Sequence, residues 1–213
     1  MEENTMPNYV ITIARGYGSG GLTIGKMLAK RLGIDFYDME LLRLASEESG
    51  INIELFNQAD EHVKTGFFKR YNRSFGERLV SPSSVDFTSN DNLFNYQAKI
   101  IRDLAAKQDC IIIGRCADYI LREQENVVRL YFYADHDTCV KTVTDLYGIR
   151  PQDAEERVAS IDRSRAAYYK YYTGGEWNDE TNYDLCINTS KIGFEKAVDV
   201  VVGYLASIGV SLE

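Results

Sequence analysis

The sequence predicts an α/β fold in which helices cover both faces of a parallel sheet. Short apolar or β-branched runs alternate with longer segments of helical periodicity along most of the chain, and this alternation is typical of parallel strands joined by helices. Residues 110–113 are all apolar, as expected of a strand that is buried on both faces. A glycine cluster separates the first strand from the first helix, in the order of a βαβ unit.

The elements follow one another in a regular order. The first strand is predicted at residues 9–13, a β-branched run that ends at the glycine cluster of residues 14–21. An amphipathic helix follows, with a C-cap at Gly33, and residues 34–38 form a second short strand. Further strands are predicted at 110–113, 127–134 and 185–188, and further helices at 96–106, 138–147 and 193–208.

Two stretches depart from this alternation. Residues 52–95 are polar and aromatic, and their middle, residues 81–92, is predicted to be a loop because it is rich in Ser, Asn and Asp. Residues 151–173 are predicted to form one long helix, since Pro151 suits a first helical position and Gly174 follows the last one. This long helix is rich in arginine and tyrosine.

The composition fits one domain and argues against several classes of function. The chain has 213 residues, of which 45% are hydrophobic, and its 24 basic and 32 acidic side chains give a net charge of −8. Such a charge argues against binding to nucleic acid or to an anionic membrane. The cysteines form no Cys-x-x-Cys pair and there are two histidines, which argues against a structural zinc site. No apolar run reaches about 18 residues, so we expect a cytoplasmic protein, of an oligomeric state that the sequence does not indicate.

The glycine cluster is typical of a phosphate-binding loop. A strand that ends in glycines and leads into a helix directs free backbone N–H groups and the positive end of the helix dipole toward a bound anion. The side chains of Ser19 and Thr23 add hydroxyl groups. The alternative is a tight turn without a ligand. We expect the phosphate groups of a bound ligand to contact the residues of this loop, which are Gly16, Gly18, Ser19, Gly20, Gly21, Leu22 and Thr23.

The loop does not fully match either of two common phosphate-binding patterns. With Gly20 taken as the second glycine of the Walker pattern G-x-x-x-x-G-K-[ST], the lysine position is Gly21 and the first glycine position is Arg15. The dinucleotide-binding spacing G-x-G-x-x-G is met from Gly16 onward, but Asp38 lies early for the acidic residue that binds the ribose. The pattern therefore indicates phosphate binding without identifying the ligand.

Several segments resemble, in the same order, the cytidylate kinase-like family of P-loop nucleoside monophosphate kinases. The opening, residues 11–32, resembles that of bacterial cytidylate kinases, and its loop resembles the R-x-x-G-S-G-G of their cytidylate kinase-like relatives. Residues 52–95 match poorly. The other matching segments are 36–38 with Arg43, 114–115 with Asp118, the D-R-x-R of 162–165, and 183–190.

The resemblance implies transfer of the γ-phosphoryl group of ATP to a nucleoside monophosphate, above all CMP or dCMP, with Mg²⁺ as cofactor. It implies the three-layer P-loop NTPase fold, with a five-stranded parallel sheet of order 2-3-1-4-5 and helices on both faces. The chain, residues 1–213, is then a single domain with two insertions. These are a monophosphate-binding lobe at residues 39–95 and a lid at residues 150–177.

The resemblance also implies roles for the residues that bind the donor phosphates. We expect Arg15 to replace part of the function of the missing Walker lysine, although it is equally suited to bracing the loop through a carboxylate. Thr23 is expected to reach Mg²⁺ through the nucleotide. In the lid, Asp162 and Arg165 lie on one helical face, and Arg163 points about 100° away. One of the lid arginines is expected to reach the donor phosphates, and the alternative is a solvated salt bridge.

The acceptor site is expected at the ends of the second and third strands. Arg115 is assigned to the acceptor phosphate and Asp118 to the base edge or the ribose, the alternative for Asp118 being support of a helix start. Arg43 is a second candidate for the acceptor phosphate or else an exposed helix residue. Asp38 would orient the acceptor or a metal-bound water, and it also suits an N-cap. Asp162 is a further candidate for the ribose, and the alternative is that it orients Arg165.

Two other functions remain open at this point. Cationic groups on a transferring phosphoryl group contribute about 10³–10⁵ in rate, so without effective compensation by Arg15 the chain would be a nucleotide-binding module with little turnover. A kinase for another small acceptor is the third possibility, because residues 52–95 depart from the cytidylate kinase pattern.

Overall fold

The computed structural model describes residues 8–61, 75–76 and 79–210. Five strands and eight α-helices alternate within these residues. The strands are β1 Val10–Arg15, β2 Asp35–Tyr37, β3 Cys110–Ile113, β4 Val127–Tyr133 and β5 Leu185–Asn188. The helices are α1 Gly21–Leu32, α2 Glu40–Ser49, α3 Ile53–Glu61, α4 Asn90–Lys107, α5 Ala117–Ile120, α6 His136–Tyr147, α7 Pro151–Thr173 and α8 Thr189–Ser207.

The strands form one parallel sheet in the order β2-β3-β1-β4-β5, and this confirms the predicted order. β1 lies at the centre, where Ile13 is in register with Ile113 of β3 and with Leu130 of β4. Because all strands run the same way, their carboxyl ends lie along one edge of the sheet. Ligands of open α/β sheets bind at this edge.

Two apolar layers enclose the sheet. On one face Ile11 and Ile13 pack with α1 and α8, and Ile24 and Leu28 of α1 are fully buried there. On the other face Val10 packs with residues of α2, α4 and the end of α7. The two layers explain why the central strands are apolar on both sides.

The segment that the sequence predicts as polar loop and lobe contains more helix than expected. α2 follows Asp38, where a helix was one of the two alternatives, whereas α3 was not predicted and α4 begins at Asn90 instead of Tyr96. The polar residues before α4 act as caps, since the Ser89 hydroxyl accepts the Asn92 N–H at 3.3 Å and the Asn92 side chain donates to the Phe87 carbonyl at 2.7 Å. The predicted lobe also includes residues 62–74, 77 and 78, which lie outside the described residues.

Candidate active site

A cleft of about 570 Å³ opens at the carboxyl edge of the sheet. It lies between the end of β1, the turn after β3 and the middle of α7. Six of the residues that the sequence singles out line it together, although they come from segments up to 150 positions apart. They are Arg15, Leu22, Asp38, Arg115, Asp118 and Arg165.

Nine other predicted residues are not among those that line this cleft, namely Gly16, Gly18, Ser19, Gly20, Gly21 and Thr23 of the glycine loop and the start of α1, and Arg43, Asp162 and Arg163. Arg43 is exposed on α2 and pairs with Glu40 and Glu47. Arg163 is exposed on the outer face of α7. Asp162 contacts the glycine loop. The acceptor role of Arg43 and the catalytic role of Arg163 therefore stay predictions.

The loop between β1 and α1 folds tightly over the end of the sheet. Gly16 donates its N–H to the Phe132 carbonyl at 2.9 Å, and the Ser19 hydroxyl donates to the Gly16 carbonyl at 2.8 Å. Gly20 is the N-cap of α1 and provides no side-chain cap. No side chain of the N-cap residue therefore accepts the N–H groups in the first turn of α1. N–H groups left open in this way bind anions at helix N-termini.

The glycines of the loop are required by backbone conformation and by close neighbours. Gly18 and Gly20 have φ values of 84° and 83°. A Cβ at Gly18 would lie 2.6 Å from the Cys139 carbonyl oxygen, and a Cβ at Gly20 would lie 2.2 Å from the Phe194 ring. The loop is thus held between α6 and the start of α8.

Replacing Gly20 with alanine is expected to lower the free energy of unfolding by about 2–4 kcal/mol, because a strained φ adds to overpacking against Phe194. Gly33→Ala is the matched control, since Gly33 has a φ of 68° with nothing within 4 Å of its Cβ position, and it should cost only about 1 kcal/mol. Urea unfolding of both variants measures the difference. Equal losses would show that Phe194 yields to the added methyl group.

The boundaries of α1 correct the count of the glycine pattern. α1 begins at Gly21, and four residues separate Gly16 from Gly21. With these two as the glycines of the Walker pattern, Leu22 stands at the lysine position and Thr23 at the hydroxyl position. Taking Gly20 as the second glycine was therefore wrong by one residue. With Gly21 in that position, the loop departs from the Walker pattern only at the lysine.

Arg15 places its guanidinium group at the end of β3. Its Cβ packs on Gly21, where an added Cβ would lie only 2.5 Å away, and its Nη1 would lie 2.3 Å from a Cβ at Gly114. The side chain therefore extends from the start of α1 toward the turn that carries Arg115. The Arg15 carbonyl in turn accepts a hydrogen bond from Nη1 of Arg165 at 3.0 Å.

The turn after β3 is conformationally strained. Gly114, Arg115 and Cys116 have positive φ values of 72°, 61° and 54°, and each such conformation costs a non-glycine residue about 1–2 kcal/mol. The turn is held in place because the Gly114 N–H donates to the Ile13 carbonyl at 2.9 Å. Strain of this kind concentrates at functional sites, and here it directs Arg115 into the cleft.

Asp118 is a buried carboxyl group at the side of the cleft. It is 5% exposed, and its Oδ2 accepts a hydrogen bond from the Tyr169 hydroxyl at 2.7 Å. Burial raises the pKa of Asp118, and the hydrogen bond from Tyr169 partly opposes this effect. Tyr169 was predicted from its sequence context only as part of an aromatic helix, and no motif marks it as a partner of Asp118.

The raised pKa of Asp118 predicts how stability depends on pH. A carboxyl group whose pKa rises on folding takes up a proton when the chain folds. Its contribution to the free energy of unfolding is therefore most favourable below the ordinary pKa of 3.8 and declines as pH rises above that value. Asp118→Asn should therefore be more stable than the parent protein at neutral pH, and the difference should grow as pH rises above the ordinary value of 3.8 toward neutrality. Thermal unfolding across this range measures it.

Asp153→Asn provides the control of opposite sign. The side chain of Asp153 is 45% exposed, and its hydrogen bond with Arg150 lowers its pKa. This variant should therefore gain no stability over the parent protein as pH rises. A difference between Asp118→Asn and the parent protein that is independent of pH would contradict a raised pKa at Asp118.

The helix α7 is closed on the glycine loop. Oδ1 of Asp162 accepts the Tyr17 N–H at 2.8 Å, and Arg165 lies 3.5 Å from the same carboxylate oxygen. The Tyr17 ring is 5.4 Å from the guanidinium of Arg165, and its hydroxyl is 3.1 Å from that of Tyr147. Asp162 thus contacts the loop directly, whereas its predicted contact with an acceptor ribose stays a prediction.

The profile of the cytidylate kinase-like family matches residues 10–191. The chain belongs to the cytidylate kinase-like family. This confirms the family that the sequence motifs predicted, and it supports a phosphotransferase. The match covers every element from β1 to the start of α8.

Several proteins are similar to this member of the cytidylate kinase-like family. A cytidylate kinase of Methanosarcina barkeri is 24% identical over 192 residues, which cover 90% of this chain and 93% of that protein. A cytidylate kinase of Pyrococcus horikoshii is 24% identical over 185 residues, 85% of this chain and 80% of that protein.

Solved structures agree on the fold. An uncharacterized protein from Eubacterium ventriosum superposes with a TM-score of 0.70 at 25% identity, over 94% of this chain and 99% of that one. The shikimate kinase of Acinetobacter baumannii, solved with shikimate, has a TM-score of 0.51 at 13% identity, over 96% of each chain. The second likeness shows the fold alone. Across residues 8–61, 75–76 and 79–210, none of the helices is long and apolar enough to span a membrane.

Proposed function

We propose that this protein transfers the γ-phosphoryl group of ATP to a nucleoside monophosphate, with CMP or dCMP as the favoured acceptor. The observation that carries the proposal is that Arg15, Arg115 and Arg165 line one cleft beside the start of α1. Phosphoryl transfer depends mainly on positioning and on neutralising charge. A chain with a net charge of −8 that collects three guanidinium groups at one cleft is suited to that chemistry.

The donor phosphates are assigned to the glycine loop and to two arginines. The N–H groups at the start of α1 bind the phosphate oxygens of ATP, and Arg15 neutralises charge that the lysine neutralises in the Walker pattern. Its guanidinium offers bidentate hydrogen bonds where an ammonium group would act as a point charge. Arg165 approaches from α7, since it is already bonded to the Arg15 carbonyl. Closure of the lid, residues 150–177, excludes water from the transfer.

The acceptor is assigned to the far side of the cleft. Arg115 binds the acceptor phosphate, Asp38 orients the acceptor, and the buried Asp118 reads the base. The Asp118 carboxyl group accepts the Tyr169 hydroxyl and the backbone N–H groups of Asp118 and Tyr119. Its two oxygens have about four acceptor positions, so we assign to it one more hydrogen bond, from an amino group. The exocyclic amine of cytosine is a donor, whereas uracil has a carbonyl oxygen at that position, and this difference favours CMP over UMP. The lobe at residues 39–95 completes the acceptor site in this proposal.

Oxygen donors that suit Mg²⁺ are present at the cleft and in the first turn of α1. Thr23 is exposed in the first turn of α1, and the carboxylate of Asp38 lines the cleft. Hydroxyl and carboxylate oxygens are ligands that Mg²⁺ prefers. When bound to ATP, Mg²⁺ neutralises phosphate charge and orients the transferring group. Thr23 would contact it through the nucleotide complex.

An assay of ADP release, with a panel of monophosphates as acceptors, tests the proposal. The chain contains a single tryptophan, Trp177, and this residue lines the cleft, so its fluorescence reports binding independently of turnover. We expect turnover that is fastest with CMP or dCMP and fluorescence changes with ATP and CMP. Turnover only with a non-nucleotide acceptor would overturn the choice of substrate.

A nucleotide-binding module with little turnover is the second candidate, and Leu22 at the lysine position favours it. The same experiment separates the two functions. Tight ATP binding, seen as a change in Trp177 fluorescence, without ADP release on any acceptor would support the binding module and contradict the kinase.

A further inference from the structure

The start of α8 contacts the glycine loop from outside the cleft. Thr189 is 3% exposed, and its Oγ1 lies 2.7 Å from the Ser19 carbonyl oxygen and 3.1 Å from the Tyr133 carbonyl oxygen. A threonine hydroxyl has one proton to donate, and the shorter contact, to Ser19, is the better hydrogen bond. Thr189 does not line the cleft, so it can act on a ligand there only through the loop.

The hydrogen bond from Thr189 fixes the orientation of one peptide group. The peptide between Ser19 and Gly20 is planar and trans, so its C=O and N–H groups point in opposite directions. Because Thr189 holds the carbonyl on the side of α8, the Gly20 N–H is directed away from α8. This N–H lies at the cap of α1, among the groups that bind phosphate in loops of this kind.

The neighbours of Thr189 hold it rigidly in place. The Asn188 side chain accepts the Ser190 N–H at 3.0 Å, and the Ser190 hydroxyl accepts the Asp135 N–H at 2.7 Å. Gly193 then breaks the helix with a φ of 74°, and the Phe194 ring that follows packs on Gly20. Two contacts from one segment, residues 189–194, therefore define the position of the Ser19–Gly20 peptide.

We propose that Thr189 is a positioning residue for the donor phosphates and acts by presenting the Gly20 N–H to them. The inference rests on the proposed function, because it assumes that the loop binds ATP. Hydrogen bonds from fixed N–H groups to phosphate oxygens are charge-assisted and depend strongly on direction. Without the hydrogen bond from Thr189, the Ser19–Gly20 peptide can rotate, and the loop then loses one such hydrogen bond to ATP. Contacts to the acceptor are unaffected.

Thr189→Val and Thr189→Ser test the proposal. Valine keeps the shape of threonine without the hydroxyl, and serine keeps the hydroxyl. We expect Thr189→Val to raise the KM for ATP on the order of 10-fold, as for the loss of one charge-assisted hydrogen bond. The KM for CMP should be unchanged, and Thr189→Ser should restore the KM for ATP. ATP titration of Trp177 fluorescence gives the same comparison without turnover.

Ser207→Ala is the control. The Ser207 hydroxyl also donates to a backbone carbonyl, that of Tyr204, at 2.6 Å, but it lies at the end of α8 and does not line the cleft. Its loss removes one hydrogen bond and should not change the KM for ATP.

Equal KM values for ATP in Thr189→Val and the parent protein would overturn the role of Thr189 and leave the kinase intact. A parent protein that neither binds ATP nor turns it over would overturn both. A rise in the KM for CMP as large as that for ATP would indicate general damage to the fold and would also contradict the inference.

Discussion

Arg15→Met is expected to lower kcat by about 10³-fold or more, the effect of removing a cation from the transferring phosphoryl group. Methionine keeps much of the apolar volume of the arginine stem, so packing on Gly21 is largely preserved. The loss should appear mainly in kcat, because the charge on the phosphoryl oxygens is greatest in the transition state. Initial rates of ADP release with ATP and CMP, measured at saturating concentrations of both, test the prediction.

Arg122→Met is the matched control for the loss of one arginine. Arg122 lies after α5, outside the cleft, where it donates to the Tyr119 carbonyl and pairs with Glu123. Its replacement should leave kcat unchanged. A kcat of Arg15→Met within 10-fold of the parent value would instead indicate that Arg15 mainly braces the loop.

Leu22→Lys in the Arg15→Met background separates charge from loop structure. Leu22 lines the cleft at the position of the Walker lysine, so a lysine there restores a cation near the donor phosphates from the other side of the loop. We expect a partial recovery of kcat. No recovery, together with normal ATP binding, would mean that the reaction requires the guanidinium at the end of β3.

Local patterns predicted the strands themselves, whereas their order in the sheet followed from the resemblance to the family. The alternation of apolar runs, the glycines after β1 and the cap at Gly33 are local signals, and each is confirmed. Helix α3 escaped prediction because its apolar positions are few and lie in a polar stretch. The polar residues before Asn90 were interpreted as a loop, although Ser89 and Asn92 serve to cap α4.

Contacts between distant segments could not be predicted in the same way. Tyr17 and Asp162 are 145 residues apart, a separation that no local motif spans. The sequence therefore did not indicate the contact of Asp162 with the glycine loop. The hydrogen bonds of Asp118 with Tyr169 and of Thr189 with Ser19 also join segments that are far apart in the sequence. Each depends on how helices α7 and α8 pack against the edge of the sheet, which residue type and spacing do not specify.

The strained turn after β3 suggests a trade-off between stability and activity. Arg115 has a φ of 61°, a conformation that costs a non-glycine residue about 1–2 kcal/mol. Its guanidinium contacts Met39 at the other side of the cleft, where Nη2 lies 3.6 Å from the sulfur. In the proposed function, the turn directs the Arg115 guanidinium toward the acceptor phosphate. Favourable contacts elsewhere in the fold offset the free-energy cost of the strained backbone.

Replacing Arg115 with glycine or with alanine is expected to lower kcat/KM for the acceptor by about 10²-fold or more, because both variants lose the guanidinium. Only glycine relaxes the strained backbone. Arg115→Gly should therefore unfold with a free energy about 1 kcal/mol higher than that of Arg115→Ala. Steady-state kinetics with varied CMP and urea unfolding of both variants give the two quantities.

The two readouts respond to different causes, so each can contradict its own part of the prediction. Equal stability of the glycine and alanine variants would mean that the positive φ of Arg115 carries no strain. A kcat/KM for CMP close to the parent value in both variants would remove Arg115 from the acceptor site. If only the KM for ATP changed, Arg115 would belong with Arg15 on the donor side, because a guanidinium that binds the acceptor phosphate must alter the concentration of CMP that the enzyme requires.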